Sequence, residues 1–165
     1  MTDFVSNEQI EKQFKIADEV SELLALRYGK KPKAFVHTYG CQGNVADGER
    51  IKGILEEIGY DFTDDVNKAD LVLYNTCAVR EHAQDRIYGN VGALKNVKKA
   101  NPGLIIALCG CMMQQEKVSE KIKNSYPFVD LVFGTHVIHR LPEFLYNVLK
   151  SGKRVFCSPV SDGVI

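Results

Sequence analysis

Four times along this chain a short apolar run breaks off into glycine or polar residues and gives way to a stretch with helical spacing. AFVHTYG (34–40) precedes ERIKGILEEIG, and DLVLYNT (70–76) precedes a helical stretch over residues 81–100. LIIALCG (104–110) precedes QQEKVSEKIKNSY, and VDLVFGT (129–135) precedes LPEFLYNVLKSG. Helices of this length between apolar runs are what connect parallel strands, because a tight hairpin cannot. The chain is therefore predicted to be α/β, with a mostly parallel sheet of five to six strands and helices on both faces. The runs at 70–76 and 104–110 are almost continuously apolar, as strands covered on both sides must be. YDFT (60–63) and RVFCSP (154–159) supply short additional strands.

This pattern is flavodoxin- or Rossmann-like, and the strand order 2-1-3-4-5 is the corresponding expectation. Ahead of it, residues 7–28 read as an amphipathic helix: Ser6 with Gln9 forms a capping box, and Ile10, Phe14, Ala17 and Leu24 recur on one side. Gly29 and the link KKPK close it, so residues 1–32 form a helical extension packed on a main domain at 33–157. With 165 residues the chain suffices for one well-filled core. No G-x-G-x-x-G follows the first strand and no phosphate-binding G-x-x-x-x-G-K-[ST] occurs, which argues against a dinucleotide or nucleotide site.

Lysine plus arginine (21) equals aspartate plus glutamate (21), so the whole chain presents no net basic field. Lys95, Lys98 and Lys99 space like the solvated face of a helix. No apolar run approaches the ~20 residues that span a bilayer. The opening MTDFVSNEQIEKQ lacks the pattern of a secretory signal. A cytoplasmic chain with reduced thiols, and no membrane partner, is the expectation.

Five cysteines then need an explanation other than disulfides. Cys41, Cys77 and Cys111 each follow an apolar run directly and precede a helical stretch. In an open parallel sheet all strands end at one edge, where ligands bind. Three thiols converging there, each near a helix start that favours thiolate, make a soft-metal site. A [4Fe–4S] cluster with one iron left open and a three-cysteine zinc site both fit; the absence of C-x-x-C argues against a zinc ribbon. Gly40, Gly43 and Gly110 beside these thiols would let backbone approach a bulky inorganic group. Cys109 and Cys157 lie inside apolar runs and read as packing. The four histidines, His37, His82, His136 and His139, read as structural, with metal ligation conceivable mainly at His82 beside Cys77. A redox-thiol module and a metal-free interaction domain are the competing readings.

TYGCQGN, NTCAVRE and GCMMQQE, together with ADLVLYNTCAVRE and VDLVFGT, resemble the three cysteine motifs in the amino-terminal domain of the radical-SAM methylthiotransferases, over about Lys33 to Lys150. The TYGCQ opening is most similar to the tRNA-modifying branch. The resemblance implies that Cys41, Cys77 and Cys111 ligate an auxiliary [4Fe–4S] cluster. It implies that the full enzyme adds a methylthio group to C2 of N6-isopentenyladenosine next to the anticodon, with a second [4Fe–4S] cluster and S-adenosylmethionine generating the radical. tRNA and a sulfur donor are the implied partners; a different tRNA adenosine or a protein is the alternative substrate. Asn44, Asp47, Asn75, Thr76, Arg80, Glu81 and Gln114 fall on motif positions and are expected to orient the ligands and tune the cluster; turn and cap chemistry is their other reading.

Two departures stand out. Gly43 and Gly48 replace a larger residue and a serine, which is expected to loosen the turn without touching a ligand. The C-x-x-x-C-x-x-C of a radical-SAM core is absent. Residues 158–165 are accordingly read as the start of a linker toward a radical-SAM domain, and the chain alone is not expected to catalyse the reaction.

Overall fold

The computed structural model describes residues 7–39, 42–76, 81–157 and 162–164. The strands are β1 (Lys33–Thr38), β2 (Asp61–Phe62), β3 (Leu71–Thr76), β4 (Ile105–Gly110), β5 (Leu131–Phe133), β6 (Val155–Cys157) and β7 (Asp162–Val164). The helices are α1 (Asn7–Tyr28), α2 (Gln42–Ile58), α3 (Glu81–Ala100), α4 (Glu116–Ser125) and α5 (Leu141–Ser151). One sheet runs in the order β2-β1-β3-β4-β5-β6-β7. Its first five strands follow the expected 2-1-3-4-5 order. The first six strands pair in parallel, and β7 adds to β6 antiparallel.

Period-two alternation divides the strand side chains between two cores. Leu71, Leu73, Ile105, Ala107, Leu131, Phe133 and Val155 point to the face covered by α1, α2 and α5. Val72, Tyr74, Ile106, Leu108, Val132 and Phe156 point to the other, against Ile87, Val91 and Leu94 of α3 and Val118 and Ile122 of α4. Every residue of β3 and β4 is buried, which accounts for their almost continuously apolar runs.

The helix α1 is part of the first core. Ala17, Val20 and Leu24 are buried in it, and Tyr28 Oη donates to the Gly103 carbonyl at 2.6 Å. Leu24 is 1% exposed. Leu24→Ala should therefore cost about 2–5 kcal/mol in chemical denaturation, the range for a truncated core leucine. A cost below about 1 kcal/mol would mean that α1 is only laid against the surface.

Local departures from the sequence reading have physical causes. The helix α2 starts at Gln42 rather than near Glu49, although QGNVADG is poor in helix formers; packing on β1 overrides propensity. Gly48 thus sits inside a helix and not in a turn. A Cβ there would overlap Thr38 Oγ1 and lie 3.7 Å from Asn75 Nδ2, so the glycine lets α2 press onto the ends of β1 and β3. Asp162–Val164, within the segment read from the sequence as a linker, pairs antiparallel with β6. Lys98 does not belong to a solvated face: its Nζ donates to Asp130 Oδ2 at 2.6 Å and to the Phe128 carbonyl at 3.0 Å, tying α3 to the approach of β5. Ser6, half of the expected capping box, lies outside the described residues. Among the described residues no helix is long and apolar enough to cross a membrane.

Candidate metal centre

Parallel pairing brings the carboxyl ends of β1, β3 and β4 to one edge, and the register shows how closely they align. Thr38 pairs with Asn75, Asn75 with Cys109, and Thr76 with Gly110. Cys77 and Cys111 are the next residues in sequence after that last pair, and Cys41 comes three residues after Thr38. Cys41, Cys77 and Arg80 lie outside the described residues, as do the side chains of Asn44 and Glu81. Cys111 is described: an exposed thiol heading the 3₁₀ turn Cys111–Gln114. Among the described residues alone, no three His, Cys, Asp or Glu side chains gather as a metal site.

The backbone under Cys111 is unusual. Gly110 has φ 118° and ψ 179°, a conformation essentially reserved for glycine. A Cβ on it would overlap the Thr76 carbonyl oxygen and lie 2.6 Å from Thr76 N. The space that Gly110 leaves is thus filled by the β3 backbone, a constraint beyond the room for an inorganic group expected from the sequence. Thr76 is fully buried, and its hydroxyl donates to the Cys109 carbonyl at 2.9 Å. The same two strand ends that lead into Cys77 and Cys111 are thereby clasped twice. Thr76→Val should cost about 1–2 kcal/mol in urea denaturation through the lost buried hydrogen bond, and Thr76→Ser should recover most of it; equal midpoints for the two variants would remove the hydroxyl from this account.

Asn75 is also fully buried, and its carbonyl accepts from Tyr39 N at 2.8 Å, which holds the chain leaving β1. Asp47 lies in α2; burial pushes its carboxyl up, partly offset by Arg50. Cys109 is sealed in the first core, and burial, then the Asp47 charge, push its thiol well above the ordinary range despite a Gly110 backbone hydrogen bond that lowers it. Cys157 is likewise buried. Both match the packing role read from the sequence.

Gln114 closes the side of the edge toward β5. Its Oε1 accepts from Thr135 Oγ1 at 3.4 Å, and its Nε2 lies 3.3 Å from His136 Nδ1. Gly134 makes this possible, since a Cβ there would meet Gln114 Cγ at 2.6 Å. Thr135 and His136 were invisible as site residues in the sequence; the only hint was that they follow an apolar run as the cysteines do. On the other side His37, exposed on β1, meets Tyr39 edge-on at 4.5 Å, and Tyr39 and Tyr74 pack at 5.5 Å. Burial pushes the Tyr74 phenol up to about 12, with Tyr39 adding to it. Asn90 on α3 donates to Tyr39 Oη at 2.7 Å. The strand ends are therefore flanked by aromatic and amide groups, with the Asp47 charge acting on Cys109 and the exposed Cys111 thiol at the end of β4. Soft thiolate donors in such a setting suit an iron–sulfur cluster or zinc.

Fold and edge together define a doubly wound α/β domain in which three cysteines follow strand ends in sequence. Residues 33–134 match the family described as Uncharacterized protein family UPF0004, and the chain belongs to it. This bears out the resemblance carried by the three cysteine motifs. The chain is 48% identical over 151 residues to a tRNA-2-methylthio-N(6)-dimethylallyladenosine synthase of Acetivibrio thermocellus, covering 90% of this chain and 32% of that protein. It is 52% identical over 147 residues to the protein of the same name from Alkaliphilus oremlandii, covering 89% and 31%. The Thermoanaerobacter sp. protein of that name is 46% identical over 148 residues, covering 90% and 31%. The chain spans about a third of the length of these curated relatives.

Proposed function

We propose that residues 33–157 are the auxiliary-cluster domain of a cytoplasmic tRNA methylthiotransferase, with Cys41, Cys77 and Cys111 as the ligands of a [4Fe–4S] cluster. The observation that carries this is the register Thr76 to Gly110, which makes Cys77 and Cys111 successors of paired residues on adjacent strands. Cys41 follows the third strand end at the same edge in sequence. The names of the relatives supply the substrate: a tRNA adenosine carrying a dimethylallyl group, which receives a methylthio group at C2. Residues 158–165 would lead toward a radical-SAM domain with its own [4Fe–4S] cluster and S-adenosylmethionine, and the isolated domain would be inactive without them.

Cys41, Cys77 and Cys111 would hold the cluster, and such a cluster would leave one iron without a protein ligand and open to an exogenous sulfur species. The chain's own part is to hold and shield it. The Gly110–Thr76 clasp sets the spacing of the two strand ends, and the aromatic wall of Tyr39 and Tyr74 limits water on one side. Gln114, held by Thr135 and His136, limits it on the other and can donate an amide hydrogen bond that lowers the charge on a sulfur ligand. Asn44, Asp47, Asn75, Arg80 and Glu81 complete the polar surroundings in this reading. Anaerobic reconstitution with ferrous iron and sulfide tests it: the chain should take up about four irons and four sulfides, with broad charge-transfer absorption. A colourless product holding one zinc instead would favour a zinc module and defeat the proposal.

A further inference from the structure

The opposite, amino edge of the sheet carries a concavity of about 590 Å³. Four cations line it: Arg27 at the end of α1, Lys30 just beyond it, Lys33 at the start of β1, and Lys68 in the turn before β3. Asp70 is the one carboxylate among the lining residues, and it is 5% exposed and already accepts from Lys33 N at 3.0 Å. The ion pairs among the described residues are Lys31–Asp61, Lys52–Glu49, Lys98–Asp130 and Arg140–Glu143, none of which involves the four cations. Lys30, Lys33 and Lys68 are exposed.

A helix dipole accounts for Arg27 and Lys30, which sit at the carboxyl end of α1. It does not account for Lys33, which opens a strand, or Lys68, which ends a three-residue 3₁₀ turn. In a chain of zero formal net charge, these cations are a local excess. The lining is predominantly polar, with Asn67 and Asn101 beside the cations and Tyr28 and Ala100 between them. Flexible lysines around a polar concavity suit a sugar–phosphate backbone, which they contact as point charges without reading sequence.

We propose that this groove binds the phosphate backbone of the tRNA substrate, away from the nucleotide being modified. The inference rests on the reading of the domain as part of a tRNA-modifying enzyme. Strands of six residues are about 20 Å long, so an RNA presenting a base at the carboxyl edge is long enough to pass the amino edge as well. The groove serves as a positioning surface: it raises affinity for any tRNA and carries no base specificity.

Fluorescence anisotropy of labelled tRNA with the 165-residue chain, across a salt series, tests this. The parent should bind with an affinity that falls steeply with salt. The triple variant Lys30→Glu, Lys33→Glu, Lys68→Glu should bind at least about tenfold more weakly at moderate salt, with the log–log salt slope reduced by about 2–3. Its thermal unfolding should match the parent, since all three side chains are exposed. The charge-matched control Lys12→Glu, Lys15→Glu, Lys117→Glu should stay near parental binding. Equal losses in both variants would reduce the effect to net charge and overturn the proposal, as would a parent chain that binds no tRNA at low salt. Iron uptake by the same protein reports on the metal centre independently, so failure of the groove leaves that reading standing and failure of the metal centre is seen separately.

Discussion

Cys111→Ala should abolish retention of a complete cluster after anaerobic reconstitution, leaving well under half of the parental iron and losing the visible charge-transfer bands. Cys41→Ala and Cys77→Ala should do the same, because a cluster held by two thiolates has two irons open and exchanges them readily. The decisive comparison is Cys109→Ala. Cys109 is two residues from Cys111 in sequence, yet it is fully buried in the first core. Its removal opens a small cavity and should cost about 1 kcal/mol of stability while leaving iron content intact. Should Cys109→Ala lose the cluster while the other three variants keep it, the ligand assignment is wrong. The contrast separates place in the fold from mere nearness in sequence, since Cys109 lies inside β4 and Cys111 heads the turn that follows it.

Gly110→Ala is expected to be the most damaging single-methyl change at this edge. At φ 118° and ψ 179° the backbone conformation alone costs about 1–3 kcal/mol for a residue with a Cβ. The methyl would also overlap the Thr76 carbonyl, which is held in the β3–β4 ladder and cannot turn aside. A total loss above about 3 kcal/mol follows, a large share of the ~5–15 kcal/mol that stabilises a domain of this size. It would be measured as a shift of the guanidinium midpoint. Gly134→Ala provides the internal control. Its φ of −89° is ordinary, and the new Cβ would meet the side chains of Gln114 and His136, which can move. That variant should lose about 1–2 kcal/mol. Similar midpoints for Gly110→Ala and the parent would show that the two strand ends are not clasped as described, and Cys77 and Cys111 would lose their common anchor.

Much of this architecture is written in local pattern. The continuous apolar runs at 71–74 and 105–109 specify strands buried on both faces, because an unpaired polar side chain there would be stranded in a core. The long α3 between them forces a parallel crossover. These are short-range constraints, and reading them needs no partner strand. The start of α2 at Gln42 was not legible, because QGNVADG forms a helix only when Gly48 can press against Thr38 and Asn75. β6 was legible in RVFCSP, whereas β7 was missed, because Asp162–Val164 carries no apolar run and becomes a strand only by pairing with β6.

The candidate site divides along the same line. That thiols follow successive strand ends is a property of the linear order, as is the family to which the motifs belong. The packing role of Cys109 was inferable from its place inside an apolar run. What only tertiary structure decided is how the edge is held and walled: the Thr76 hydroxyl on the Cys109 carbonyl, the β3 backbone in the space beside Gly110, and Gln114 fixed by Thr135 and His136 across Gly134. It also decided that four cations scattered between Arg27 and Lys68 share one groove. Hydrophobic period and motif spacing act within a few residues along the chain and so survive in the sequence. Clasps and charged grooves arise between strands and helices far apart in sequence, and they exist only once burial of the two cores has set the register between them.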